Sequence, residues 1–227
     1  MLLQFDRIAK DRTDRIGINI ETLVIAGWAG RDVAAIEHHI EELAAIGVPR
    51  PSTTPLYYRV AAQTLTQADQ LTVLGPDSSG EIEPVVVAMA DGLWIGIGSD
   101  HTDRKAEAAG IALSKQLCGK PVGRQLWSYA DVEGHWDELT LRSWAVIDGA
   151  RVLYQESKVA SLRTPRDLIR KYADAETLQP GTLMFCGTPG AIGGIRPASR
   201  FEMELHDPVL KRSLNYAYDI KVLPVVS

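Results

Sequence analysis

The chain holds 227 residues, 45% of them hydrophobic and 23% charged, with 19 Gly and 12 Pro, the composition of a soluble globular protein long enough to bury a core. Its 24 Lys and Arg against 29 Asp and Glu leave a net charge of -5, which argues against a nucleic-acid module and its basic stripe. No apolar run approaches the roughly 18 residues of a membrane span, and MLLQFDRIAKDRTDR carries charges where a secretory signal needs an apolar stretch.

The expected elements begin with a strand over residues 16–26, where Ile16, Ile18 and Ile20 alternate, and a helix over 33–46, where Ile36, Ile40 and Leu43 share a stripe before Gly47 and Pro49 stop it. Strands follow at 56–60, 70–74, 81–89 and 93–99, the last two joined at Asp91-Gly92. An Ala-, Lys- and Glu-rich helix is expected over 102–117. A hairpin around Asp148-Gly149 comes next, then a helix over 165–173 and strands at 182–186, 201–206 and 210–223. Strands outnumber helices and come in hairpin pairs, so the fold class is α+β on a β core rather than a doubly wound sheet. No P-loop is present, and Gly96 and Gly98 lack the third glycine of a dinucleotide fingerprint. Cys118 and Cys186 stand far apart and form no CxxC or CxxH spacing, so they read as buried thiols in a reducing compartment, the cytoplasm.

Three groups of residues carry possible chemistry. Glu81 and Glu83 are two apart on a strand and share a face with Val85 and Val87. If that face is buried, the paired carboxylates need a proton or a hard cation between them; if this end of the strand is exposed, both are simply solvated. The hairpin return brings Asp100 back toward them, while Thr102 or Asp103 is positioned to cap the next helix. Gly187, Gly190, Gly193 and Gly194 crowd one loop with Thr188, which suits close approach of backbone amides to an anion and equally suits a tight connection. On the early helix, Glu42 stands three residues after His39, so the pair forms either a general base with its orienting carboxylate or an incidental flank.

Together and in this order, these segments resemble the fumarylacetoacetate hydrolase superfamily over roughly residues 27–222. The run Pro180-Gly181-Thr182 through Cys186-Gly187-Thr188-Pro189-Gly190 is similar to that family's substrate loop. Glu81-x-Glu83 followed by Asp100 resembles its acidic metal ligands. Arg104 and Lys115 look like its basic substrate contacts, and His39 with Glu42 like its lid dyad. Arg59 stands where the family commonly has lysine.

The resemblance implies one domain over 1–227, with N-terminal strands and a lid helix in 1–50 and a catalytic β roll in 51–227, as a mixed β-sandwich roll. It further implies Mg²⁺ or Mn²⁺ on Glu81, Glu83 and Asp100, catalysis by His39, Glu42 and Lys115, and substrate contacts from Arg104, Gly187, Thr188 and Arg59. The implied protein is a cytoplasmic homodimer with a small anionic substrate and no nucleic-acid or membrane partner. It would cleave a C–C bond in a diketo or 2-oxo acid. Decarboxylation, isomerisation, and a catalytically silent metal- or ligand-binding role stand as the alternatives.

Overall fold

The computed structural model describes residues 1–10, 12–45 and 50–226, with the side chains at positions 39, 42, 43 and 45 outside that description. The chain opens with a hairpin that the sequence reading misses: β1 (Leu2–Ala9) buries Leu3, Phe5 and Arg7 at alternate positions, and β2 (Arg12–Asn19) runs back along it. Charges disguise β1, but they are paired across the hairpin, Arg7 with Asp14 and Asp6 with Arg15. The single strand expected over 16–26 is divided at Ile20 and Glu21 into β2 and β3 (Thr22–Gly27). Helix α1 (Val33–Ala45) follows, and its expected stop at Gly47 and Pro49 lies outside the described residues.

Next come β4 (Leu56–Val60), the short β5 (Leu65–Thr66), β6 (Gln70–Leu74) and the short β7 (Ser78–Ser79). They lead to the hairpin of β8 (Ile82–Met89) and β9 (Gly92–Ser99), paired from Ile82↔Ser99 to Met89↔Gly92. The continuous helix expected over 102–117 is instead β10 (Thr102–Asp103), α2 (Arg104–Glu107) and α3 (Ile111–Leu117). Its composition favours helix, but Gly110 adopts an extended backbone at φ 162 and ψ 130, and the helix restarts after it. Asp103 caps α2, accepting from the Ala106 amide at 2.9 Å.

Then come β11 (Lys120–Pro121), β12 (Gln125–Ser128), α4 (Tyr129–Val132) and the hairpin of β13 (Thr140–Ile147) with β14 (Ala150–Lys158). The hairpin turns through Asp148 and Gly149, both at positive φ. Helix α5 (Pro165–Ala173) is capped by Thr164, whose hydroxyl accepts from the Asp167 amide. The last strands are β15 (Thr182–Phe185), β16 (Arg200–Asp207) and β17 (Arg212–Leu223).

Among the described residues the strands form an eight-stranded sheet, β2-β1-β12-β9-β8-β15-β3-β4, a five-stranded sheet, β14-β13-β16-β17-β6, and two short pairs. β2 and β3 lie six places apart in the first sheet, about 29 Å if it were flat. Only Ile20 and Glu21 connect them, and that link reaches at most about 11 Å. The sheet must therefore curl until its ends approach.

One apolar cluster, with Val24, Val86 and Ile95, joins the large sheet to Leu141, Phe201, Met203 and Tyr218 of the smaller one. A second, with Leu3, Phe5, Ile25, Val85, Val87 and Phe185, fills the other face. Strand β8 is buried along its whole length on both faces, so any carboxylate it carries must be accommodated inside. No helix among the described residues is long and apolar enough to cross a membrane.

Candidate functional site

The hairpin places the acidic residues. Its ladder ends at Ile82↔Ser99, and the Asp100 amide then donates to the Glu81 carbonyl at 3.0 Å. Glu81, Glu83 and Asp100 thereby converge, each offering one oxygen within 4.8 Å of the others. The exposed-end alternative is excluded: Glu83 is 2% exposed and Asp100 fully buried.

Their surroundings drive Glu83 and Asp100 apart in acidity. Burial pushes the Glu83 carboxyl well above its usual range, the Asp100 charge adds to that, and neither Lys115 nor the Gly187 amide, which donates to Glu83 Oε2 at 2.6 Å, restores it. Burial would also raise Asp100, but Lys115 and Lys120 overcome it and bring that group down to about 2. Lys115 Nζ donates to Asp100 Oδ2 and stands 3.7 Å from Glu81 Oε2. Lys120, fully buried, places Nζ 2.9 Å from Asp100 Oδ1 while donating to the His101 carbonyl at 2.5 Å. Asp100 Oδ1 is thus held by the Lys120 ammonium.

Arg104, at the start of α2, fixes Glu81. Its guanidinium lies 3.0 Å from Glu81 Oε1 and donates to Ser79 Oγ at 2.7 Å and Glu107 Oε2 at 3.2 Å. On the other side, Tyr218 of β17 donates to Ser99 Oγ, which accepts from the Glu81 amide. With the Tyr218 hydroxyl so committed, His101 Nδ1 carries the proton toward Tyr218 at 2.9 Å, and Nε2 accepts from Ser78. Burial holds this imidazole neutral, its pKa down to about 3. His101 is therefore a brace between the sheets.

Above the carboxylates opens a cavity of about 990 Å³, lined by Glu81, Glu83, Arg104, Lys115, Tyr58 and Thr188 among others. Gly187 lines it too, at φ 98, where an added Cβ would stand 2.7 Å from Ala29 Cβ. Its amide is engaged by Glu83, so it holds the acidic cluster rather than facing the cavity free. Thr188 is fixed from the opposite sheet by Gln155, whose Nε2 donates to Thr188 Oγ1 at 2.8 Å and to the Pro189 carbonyl at 2.6 Å. Gln155 Oε1 accepts from the Ile82 amide and from Ser143 Oγ. One buried amide thus ties the carboxylate strand to the glycine loop.

Arg59 is not among the residues that line the cavity. Alternation along β4 turns Tyr58 to the cavity and sends Arg59 to the surface, where it donates to the Tyr172 hydroxyl at 3.1 Å. The side chains of His39 and Glu42 lie outside the described residues; Asp32, Ala35 and Ile36 of the same segment line the cavity. Lys120, Gln155 and the Ser78–His101–Tyr218 chain escape the sequence reading, because each reaches the site from a distant segment with no local motif.

The donor set fits a hard divalent cation. Three carboxylate oxygens lie at the mutual separations of one coordination sphere, Glu83 and Asp100 are deeply buried, and Glu83 is poised to exchange a proton for a metal. Fold and site together define a sheet-rich α+β protein with a buried acidic cluster under a cation-flanked cavity. The chain belongs to the family described as protein of unknown function DUF2848, whose model matches residues 26–218. No curated protein matches it.

Solved structures share the fold. Crystal structures of Cg1458 superpose with a TM-score of 0.62 at 18% identity, covering 95% of this chain and 83% of that one. For 2-keto-3-deoxy-D-arabinonate dehydratase complexed with magnesium and 2,5-dioxopentanoate, the TM-score is 0.60 at 16% identity, with 92% and 75% covered. Its apo form gives 0.61 at 16% identity, with 94% and 78% covered.

Proposed function

We propose that this protein is a Mg²⁺- or Mn²⁺-dependent enzyme of the fumarylacetoacetate hydrolase superfamily, acting on a small 2-oxo or β-diketo acid and cleaving a C–C bond. The observation that carries the reading is the convergence of Glu81, Glu83 and Asp100 at the floor of a cavity flanked by Arg104 and Lys115. The structural neighbour that holds magnesium with 2,5-dioxopentanoate supports the pairing of such a metal with a 2-oxo acid. A bound Mg²⁺ would polarise the substrate's oxo group and fix its carboxylate.

The chain's own groups supply the rest. Arg104 pairs with Glu81 and aims it, and Lys120 holds Asp100 from below. Lys115 is buried, and its acidic partners raise its pKa despite burial, so its ammonium persists and can face the negative charge that develops when the bond breaks. Thr188, locked by Gln155 on the cavity wall, is assigned to substrate contact. The base is assigned to His39 with Glu42: spacing puts position 39 on the helical face of Ala35 and Ile36, which line the cavity. The two free buried thiols agree with a reducing, cytoplasmic setting, and a homodimer is expected by light scattering.

A panel of acylpyruvates, fumarylacetoacetate-like diketo acids and oxaloacetate, assayed with Mg²⁺ and Mn²⁺, tests the reading. Turnover that stops with chelator and is competitively inhibited by oxalate supports it; no turnover and no oxalate binding overturns it. Dehydration is the second reading, favoured by the 2-keto-3-deoxy-D-arabinonate dehydratase neighbours, and a 3-deoxy-2-oxo sugar acid in the panel separates the two.

A further inference from the structure

The cavity is far from uniform. Its acidic floor and cations occupy one part, whereas Trp28, Ile36, Ile111, Tyr154, Leu162 and Ile195 line much of the remainder. At about 990 Å³ it stands at the upper end of small-molecule sites, about 300–1,000 Å³, more than a five-carbon acid fills.

Along the face that β14 gives to the wall, polar side chains are engaged with protein. Gln155 uses both amide hydrogens on Thr188 and Pro189 and its oxygen on Ile82 and Ser143. Glu156 accepts from Arg142 at 2.7 Å, and Ser157 Oγ is bonded to the Lys158 carbonyl and Ser161. A hydroxyl-rich tail laid along that face would lose water and gain few partners in return, which is costly. An apolar tail would lose nothing and cover Ile111, at the start of α3, and Ile195, 56% exposed.

Resting on the proposed 2-oxo acid reading, we propose that the substrate carries an extended apolar tail, alkyl or aryl, beyond its chelating head, and that Ile36, Ile111 and Ile195 help select it. The cations hold the anionic head while the tail runs along the apolar wall. A polyhydroxylated acid of the sugar type is discriminated against by the same wall.

The test uses inert chelating heads with graded tails: oxamate, N-butyl oxamate, N-benzyl oxamate and N-(2,3-dihydroxypropyl) oxamate, titrated by calorimetry into the Mg²⁺-loaded protein. Each buried methylene should tighten binding about fourfold, so N-butyl oxamate should bind on the order of 10²-fold tighter than oxamate, and the dihydroxypropyl compound close to oxamate itself. In Ile111→Ser/Ile195→Ser, with its fold checked by circular dichroism, the butyl-to-parent ratio should fall below about tenfold. Oxamate binding without a gain from the tails, a dihydroxypropyl tail as good as butyl, or a ratio unchanged in the double variant overturns the tail assignment and leaves the metal-dependent reading standing. Failure of both oxamate and oxalate to bind overturns the two together.

Discussion

Glu83→Gln separates a metal ligand from a structural carboxylate. Glu83 is buried, its carboxyl is pushed well up by burial and by Asp100, and its Oε2 accepts from the Gly187 amide. In the metal-free protein the group favours its neutral form, which glutamine imitates in shape and charge while still accepting from Gly187. Stability without metal should therefore change by less than about 1 kcal/mol, the range of near-isosteric swaps. Metal binding should suffer far more. Losing even a residue that supports a ligand costs about 10–100-fold, so losing an anionic ligand should cost more than about 100-fold.

Thermal unfolding reads both quantities at once. At a Mg²⁺ concentration of about 100 Kd, wild type gains about 2.7 kcal/mol, which for a chain of this size raises Tm by about 5–11 °C. Glu83→Gln should start from nearly the same Tm and show almost no rise at that concentration. Calorimetric titration supplies the Kd. Equal Mg²⁺ affinity in the variant would refute the ligand assignment. A Tm several degrees lower before any metal is added would refute the neutral-form argument.

The remaining predictions address the base, the inter-sheet clamp and the proton balance. His39→Ala should lower kcat by about 10²–10⁴ with Mg²⁺ affinity retained, and a comparable loss in His38→Ala instead would move the assignment to that neighbour. Gln155→Leu leaves the Ile82 amide without its partner and the Pro189 carbonyl with the 3.3 Å bond from Thr188 Oγ1, a cost of about 1–3 kcal/mol in urea unfolding. A loss well below that range would count against the clamp. Below the raised pKa of Glu83 the metal must displace a proton. Mg²⁺ affinity should accordingly climb as pH rises through that raised pKa, with binding heats that depend on the buffer's ionisation enthalpy. A pH-independent affinity would show that Glu83 is already ionised.

What the sequence determined by itself is what short-range chemistry encodes. The alternation of β8 and the return of β9 bring Glu81, Glu83 and Asp100 together, because a hairpin's register follows from its turn. Asp148-Gly149 and Thr164-Pro165 mark a turn and a helix start through local backbone preferences. Where composition and a single backbone position disagreed, as at Gly110, composition misled, and the expected long helix is two short ones. In β1, the charges concealed the strand because their partners lie across the hairpin.

Tertiary structure decided the rest. Gln155 comes from the other sheet, Lys120 from a short strand after α3, and Tyr218 from the last strand, and nothing adjacent in the chain announces where their side chains end. Arg59 and Tyr58 are neighbours in sequence, yet the face that β4 presents to the cavity is set by its pairing with β3 at the sheet's edge. Residue patterns fix which positions share a face. Which partner that face meets, and so whether a buried carboxylate is neutralised by lysine, proton or metal, follows only from how the sheets curl and pack.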